Sequence, residues 1–316
     1  MPTILIWTKF FGFRWPAFKP LKCNCVITTD RFYSSFASAI VFHLLDLDTS
    51  DIPMKYSDNP KYVILNLEAP WNTYPRSDSF MRSIRITMDW TMTYRTDSDV
   101  VVPYGKLIRR KKQSNEKILN YKFSHTMFES KTKAAAWFVS HCSTESKREN
   151  YVHELRKHIQ VDIYGACGEH RCDRSIENDC YKMVENEYKF YLSFENSICK
   201  NYITEKLYNI LNYNVIPIVF GPSDDYEKIM PNHSFIDARK YSPKELASLM
   251  NHIASNFSLY SSFFSWKNDY VAQTHGWEEM FCILCDKLAE NTTALASETI
   301  SRFEPWWFDD AHCIKD

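Results

Sequence analysis

The sequence predicts an α/β protein built as two facing Rossmann-like domains with a cleft between them. Three observations carry this. Short continuous apolar runs, the mark of strands buried on both faces of a parallel sheet, recur along the chain. Segments with helical spacing separate them, which is the βαβ alternation. The 316 residues suffice for two domains of ordinary size.

The strands come in two series. Thr3-Ile4-Leu5-Ile6-Trp7, Ala39-Ile40-Val41-Phe42, Tyr62-Val63-Ile64-Leu65 and Val100-Val101-Val102 form the first. Ala135 to Val139, Val161 to Tyr164, Phe190 to Phe194 and Val215 to Phe220 form the second. Helices read best in the second half. Ser242-Pro243-Lys244-Glu245 is a capping box with proline at the first helical position, and Leu246, Leu249, Met250 and Ile253 follow at helical spacing. Tyr151 to Ile159 reads as helical. Thr204 is an N-cap for a helix with Leu207, Ile210 and Leu211 on one face. The polar stretch 106–130 marks the junction, giving an N-terminal domain over 1–130, a second over 131–290 and a tail over 291–316. In such folds ligands sit at the carboxyl ends of the strands.

Composition excludes some functions. Lys and Arg number 38 and Asp and Glu 39, a net charge of −1, so no global footprint for nucleic acid exists. The run Arg109-Arg110-Lys111-Lys112 reads as a solvated loop. With only 6 glycines and no G-x-G-x-x-G after a strand, a dinucleotide enzyme is a poor reading. Aromatic residues reach 16%, suited to a heavily aromatic core or to clefts for sugars and bases. No apolar run is long enough to cross a bilayer, so the sequence reads as a cytosolic chain or as a luminal portion whose anchor is missing. Ten cysteines, in an even number with close pairs, suit an oxidising compartment. Three acceptor sequons, at Asn232, Asn256 and Asn291, point the same way.

The chemistry concentrates after Phe190. A β-rich run ends in Glu195-Asn196-Ser197, and Asn201-Tyr202-Ile203-Thr204-Glu205-Lys206 opens the next helix. A helix N-terminus offers free N–H groups and a positive dipole end. Lys206 opposes that dipole unless an anion lies between them; its plain alternative is a lysine pointing to water. Glu68 follows the strand Tyr62 to Leu67 and reads, from position alone, equally as an exposed loop carboxylate or a base. Asp97-Ser98-Asp99 invites a metal reading. It lies in the first half, away from the inferred phosphate site, and reads instead as part of a turn before Val100. Cys282-Ile283-Leu284-Cys285 lacks the partner pair that a zinc site needs.

Tyr188 to Phe235, with YKFYLSFENS, NYITEKL, IPIVFGPS and a following SFI, resembles the signature region of the α1,3-fucosyltransferases. So do WTMTYRTDSD and VPYG over Trp90 to Gly105, NLEAP over Asn66 to Pro70, and ITTDR over Ile27 to Arg31. The resemblance covers about residues 3 to 290, and several ordered motifs at family spacing are far more specific than one.

That resemblance implies the GT-B type of fold and inverting transfer of L-fucose from GDP-β-L-fucose to a hydroxyl of an N-acetylglucosamine unit of a glycan. It implies that Glu68 in the first domain is the catalytic base. Arg148, Glu195, Asn196, Tyr202, Glu205 and Lys206 in the second hold the donor. Fixed cations neutralise the leaving pyrophosphate, and no metal cofactor is required, a divalent ion being at most stimulatory. A disulfide within or near the C-terminal segment is implied, and a local one is expected within Cys167-Gly168-Glu169-His170-Arg171-Cys172, which resembles a Cys-rich insertion of invertebrate and plant members. The family's members are Golgi type II membrane proteins, so the expected place is the Golgi lumen, with membrane contact only through an anchor not seen here. Two departures stand out: His141 where the family has Asn, and Asn201 where it has Asp. A non-catalytic homologue that binds glycan or nucleotide is the second reading, and the intact Glu68, Arg148, Glu205 and Lys206 argue against it.

Overall fold

The computed structural model describes residues 1–15, 21–55, 60–73, 77–110, 121–172, 177–290 and 297–314. It divides into two compact units. The first comprises Met1–Pro103, Cys199–Asn201 and His275–Cys313, and the second Tyr104–Ile198, Tyr202–Thr274 and Ile314–Asp316.

The first unit is built on a six-stranded parallel sheet. Its strands are β1 (Thr3–Ile6), β2 (Val26–Thr28), β3 (Ala39–His43), β4 (Lys61–Asn66), β5 (Trp90–Thr93) and β6 (Val100–Val101), in the order β2-β1-β3-β4-β5-β6. β3 is buried at every position and β4 at all but Lys61. That is why both read as continuous apolar runs. β5, with sequence WTMT, is equally buried and carries two threonines. Their hydroxyls are satisfied locally. Thr91 Oγ1 lies 2.8 Å from Asp99 Oδ2, and Thr93 Oγ1 bonds Ser98 Oγ.

The second unit holds a five-stranded parallel sheet of β8 (Lys133–Phe138), β9 (Val161–Tyr164), β10 (Tyr188–Phe194), β11 (Ile216–Phe220) and β12 (Ile236–Asp237), in the order β12-β11-β10-β8-β9. A small antiparallel ribbon of β7 (Gly105–Arg109) and β13 (Tyr270–Thr274) joins it. One core includes Trp137, Leu155, Leu192, Ile218 and Met250, another Ala136, Tyr191, Leu207 and Val219. Residues alternating along β8, β10 and β11 divide between the two, so the sheet is covered on both faces. The helix Pro243–Ala254 has its capping box, and Leu246, Met250 and Ile253 are buried. The expected helix over 151–159 is seen as Arg148–Leu155, starting earlier.

The boundaries expected at 130 and 290 lie elsewhere. Residues 104–110 belong to the second unit because β7 pairs with β13. The expected tail packs into the first unit: Trp307 is fully buried and its Nε1 donates to Thr73 Oγ1 at 3.0 Å. Arg95, also fully buried, donates to the Trp306 carbonyl.

All ten cysteines are paired. Cys23 bonds Cys282 and Cys25 bonds Cys285, so the C-x-x-C pair bridges to a segment about 260 residues earlier, while Cys199 bonds Cys313. The local bridge expected between Cys167 and Cys172 does not form. Cys167 bonds Cys142, and Cys172 bonds Cys180 on the helix Glu177–Glu187. Asn232 and Asn256 are exposed; Asn291 lies outside the described residues, as do Lys111 and Lys112.

Candidate functional site

In the second unit the winding reverses at β8, which has β9 on one side and β10 on the other. A crevice opens there at the carboxyl ends of the strands, the rule for open α/β sheets. It is a pocket of about 440 Å³, within the range of small-molecule sites. Its wall includes Val139 to His141 after β8, Gly165 after β9, and Asn196 after β10. Gly165 is required there: its φ is +103°, and a Cβ would stand 2.5 Å from the Val139 carbonyl oxygen. The Cys142–Cys167 bridge ties the loop after β8 to the loop after β9.

Arg148, Asn196, Glu205 and Lys206, four of the six expected donor residues, line this pocket. His141, the departure noted in the sequence, lines it too. Arg148 opens its helix and is 3% exposed. Its Nη1 donates to the Phe194 carbonyl and its Nη2 to the His141 carbonyl at 3.2 Å. Its Nε is buried and has no hydrogen-bond partner, and it forms no ion pair among the described residues. Burial lowers its pKa, with the Glu195 carboxylate pulling the other way. A buried guanidinium with an open donor is strongly favoured to gain an anion.

Glu195 and Tyr202 are not on the pocket wall. Tyr202 is 1% exposed. Glu195 has no exposure; its Oε1 accepts from Thr204 N at 2.8 Å, and its Oε2 lies 2.9 Å from Thr204 Oγ1 and 3.3 Å from Lys206 Nζ. The helix expected after Thr204 spans only Glu205–Tyr208 before a 3₁₀ turn over Ile210–Asn212. Thr204 caps it as expected, but so short a helix carries little dipole. Lys206 is held instead by side chains: its Nζ donates to Thr204 Oγ1 at 2.9 Å and lies 3.3 Å from Glu205 Oε1. Burial works against its charge, but Glu195 and Glu205 outweigh that and raise its pKa. Burial also pushes the Glu195 carboxyl up, more than Lys206 pulls it down. Both directions fit one ammonium shared by two carboxylates.

Glu68 belongs to the first unit, two residues beyond β4, and is half-buried. Asn66 clamps its backbone, donating from Nδ2 to the Glu68 carbonyl at 3.0 Å. Asn72 Nδ2 donates to Glu68 Oε2 at 2.8 Å. Asp97 and Asp99 are engaged elsewhere. Asp97 takes Arg95 at 2.7 Å and Lys200 at 3.0 Å; burial opposes its charge, but these cations outweigh it and hold its pKa at about 2. Asp99 Oδ2 accepts from Thr91 N at 2.8 Å, Ser297 Oγ at 2.7 Å and Thr299 Oγ1 at 2.6 Å. Sequence reasoning missed His43 and Asp46 at the end of β3, where a 2.6 Å bond joins Nδ1 to Oδ2. The only sequence signal was a polar residue closing an apolar strand.

Comparison with known proteins gives the chemistry a context. Residues 128–306 match the model for glycosyltransferase family 10 (fucosyltransferase), C-terminal part, and residues 1–105 the fucosyltransferase N-terminal model. The chain is 34% identical to alpha-(1,3)-fucosyltransferase C of Drosophila melanogaster, over 97% of this chain and 78% of that protein. It is 36% identical to the same fly's glycoprotein 3-alpha-L-fucosyltransferase A, covering 94% of this chain and 57% of that one. Identity to the human 4-galactosyl-N-acetylglucosaminide 3-alpha-L-fucosyltransferase 9 is 34%, with 97% and 82% covered. A crystal structure of an α1,3-fucosyltransferase with GDP shares the fold, with a TM-score of 0.53 at 14% identity over 92% of this chain and 91% of that one.

Proposed function

From the premise that this chain belongs to glycosyltransferase family 10, the fucosyltransferases, we propose that it transfers L-fucose with inversion from GDP-β-L-fucose to an N-acetylglucosamine hydroxyl of a glycan. The observation that carries the reading is the pair of cations lining one pocket, Arg148 with its unpartnered Nε and Lys206 at the carboxyl end of the sheet. They would bind the pyrophosphate and stabilise the charge that builds as GDP leaves. Glu205, half exposed beside Lys206, would accept hydrogen bonds from fucose hydroxyls. Glu195 supports Lys206 from below. Attack by a sugar hydroxyl needs a base, and Glu68, oriented by Asn66 and Asn72, is the proposed one. The bond from acceptor oxygen to fucose C1 forms as the bond from C1 to phosphate oxygen breaks, the electron pair leaves with GDP, and the acceptor proton goes to Glu68.

With two protein cations for the pyrophosphate, the proposed reaction requires no metal. Five disulfides suit an oxidising compartment, which supports a proposed site of action in the Golgi lumen. The deciding experiment is GDP release from GDP-fucose, with and without chelator, against acceptors bearing antennal, core and protein-linked sugars, followed by linkage analysis. Chelator-resistant transfer giving an α1,3 linkage is expected. Binding of GDP-fucose with no turnover on any acceptor or on water would overturn the catalytic reading in favour of a binding module.

A further inference from the structure

In the first unit β1, β3 and β4 are parallel neighbours, so their carboxyl ends lie side by side. β3 ends at His43, opposite Leu65 of β4, and Glu68 follows three residues after Leu65. The His43 side chain is 1% exposed. Its Nδ1 lies 2.6 Å from Asp46 Oδ2, and its backbone N–H donates to Thr8 Oγ1 at 2.7 Å. Asp46 is fixed in turn: Oδ2 accepts from Phe11 N at 2.6 Å and Oδ1 from Gly12 N at 2.7 Å. These two backbone donors and the imidazole keep Asp46 ionised, below its ordinary pKa despite the burial that opposes it.

A carboxylate at Nδ1 selects the tautomer with its proton on that nitrogen. The lone pair is then on Nε2, which is buried and has no hydrogen-bond partner. A histidine kept only for packing would satisfy both nitrogens, because an unpaired buried polar atom costs about 1–3 kcal/mol. Burial lowers the His43 pKa and so keeps the ring neutral at rest. Asp46 and Glu68 pull the other way, which places the Glu68 charge within electrostatic reach of the ring. The segment after β1 presents Thr8, Phe10 and Phe11 to the imidazole, all uncharged. The charged groups acting on the ring are thus Asp46 on its own segment and Glu68 beyond β4.

We propose that Asp46 and His43 form a proton relay for Glu68, taking at Nε2 the proton that Glu68 removes from the acceptor hydroxyl. The inference rests on the reading of Glu68 as base. The step balances: the proton leaves the Glu68 carboxyl, the imidazole becomes imidazolium paired with the Asp46 carboxylate, and the proton returns to solvent through the half-buried Glu68 after the product has left. His43 acts through Glu68 and makes no contact with the sugar. The arrangement follows the orienting-carboxylate, imidazole and reacting-group order of acid–base triads, with a carboxylate as the group served.

The test compares the wild-type chain with His43→Asn, Asp46→Asn and Glu68→Gln. Asn at 43 keeps an N–H for Asp46 and deletes Nε2. The readouts are GDP release from GDP-fucose, with N-acetyllactosamine or with water alone as acceptor, over pH 5 to 9, and thermal melting. For His43→Asn we expect kcat to fall about 10- to 100-fold, with KM for GDP-fucose unchanged and the acidic limb of the kcat profile displaced. A purely structural role would lower the melting temperature and leave that limb in place. If His43→Asn does not fold, Asp46→Asn decides by the same displacement. An inactive Glu68→Gln beside a His43→Asn, or in its stead an Asp46→Asn, with kcat within twofold of wild type and an unmoved profile overturns the relay alone. A fully active Glu68→Gln overturns the base itself.

Discussion

Lys206 Nζ lies 3.3 Å from Glu195 Oε2, a carboxylate with no solvent exposure behind the pocket that Lys206 lines. Lys206 itself keeps 23% of its side chain exposed, so the ammonium spans from buried carboxylate to open pocket. Glu195 therefore sets where Lys206 points, and Thr204 sets where Glu195 points through two hydrogen bonds.

Replacing Glu195 by Ala should be costly on both counts. It leaves Thr204 N without its acceptor and Lys206 without its deeper partner. Breaking a buried pair from one side costs about 3–5 kcal/mol. Thermal denaturation should show a fall of several degrees, and calorimetry a GDP affinity at least ~10-fold weaker. Thr204→Val, which removes the hydroxyl but keeps the backbone N–H, should show a smaller change in the same direction.

Arg148 should not be replaceable by Lys. The guanidinium reaches two carbonyls and still offers Nε. A lysine has a single terminal nitrogen and none of that fork. Arg148→Lys and Arg148→Met should both weaken GDP binding about 10- to 100-fold by calorimetry, with Lys recovering little. Wild-type affinity in Arg148→Lys would remove the guanidinium geometry from the account of the site.

Stability should rise with pH above neutrality because of two buried lysines. Lys131 is 1% exposed and donates to the Glu185 and Tyr188 carbonyls; burial pulls its pKa down to about 7. Lys267, bonded to the Tyr213 carbonyl at 2.7 Å, is pulled by burial to about 8. A cation with a folded pKa below its unfolded value binds more protons in the unfolded state between the two. The penalty is complete below the folded pKa and is relieved as pH rises through it. Denaturant melts from pH 7 to 9 should show a positive slope, and Lys131→Met should flatten it whatever it does to absolute stability.

The two bridges from Cys23 and Cys25 to Cys282 and Cys285 should be strongly non-additive. Each closes nearly the same loop, with sequence separations of 259 and 260. Once one is present, the other constrains little further chain. Removing either pair by double Cys→Ser exchange should cost about 1 kcal/mol or less. Removing both should cost about 5 kcal/mol, the closure entropy of so long a loop. Comparing melting temperatures of the two double variants and the quadruple variant measures this directly.

The parallel strands were legible because burial on both faces writes itself as apolar runs, and eight were placed to within two residues. β5 was not, because WTMT buries threonines whose hydroxyls are satisfied by Asp99 and Ser98, which no local pattern displays. β7 and β13 stabilise each other across 160 residues, so neither stands out alone. A still longer separation, 259 and 260 residues, hid the partners of Cys282 and Cys285. Arg148, Asn196, Glu205 and Lys206 came from motif resemblance, and the fold brings all four to the lining of one pocket. Glu195 and Tyr202 came from the same motif yet are buried, since a motif does not distinguish a residue that faces a ligand from one that braces its neighbour. His43 and Asp46 are three residues apart, and only the turn after β3 gives that spacing meaning.

The return of His275–Cys313 to the first unit has a consequence for synthesis. A chain emerging from the ribosome in order presents β1 to β6 long before Trp307, Cys282 and Cys285 exist. The second unit has all its described strands by Thr274 and can close first. The unit whose strands come first is thus the last to be finished, and its early sheet must wait for the segment His275–Cys313. A premature stop near residue 275 would therefore cripple the first unit, which loses its whole returning segment, more than the second, whose strands are all already made.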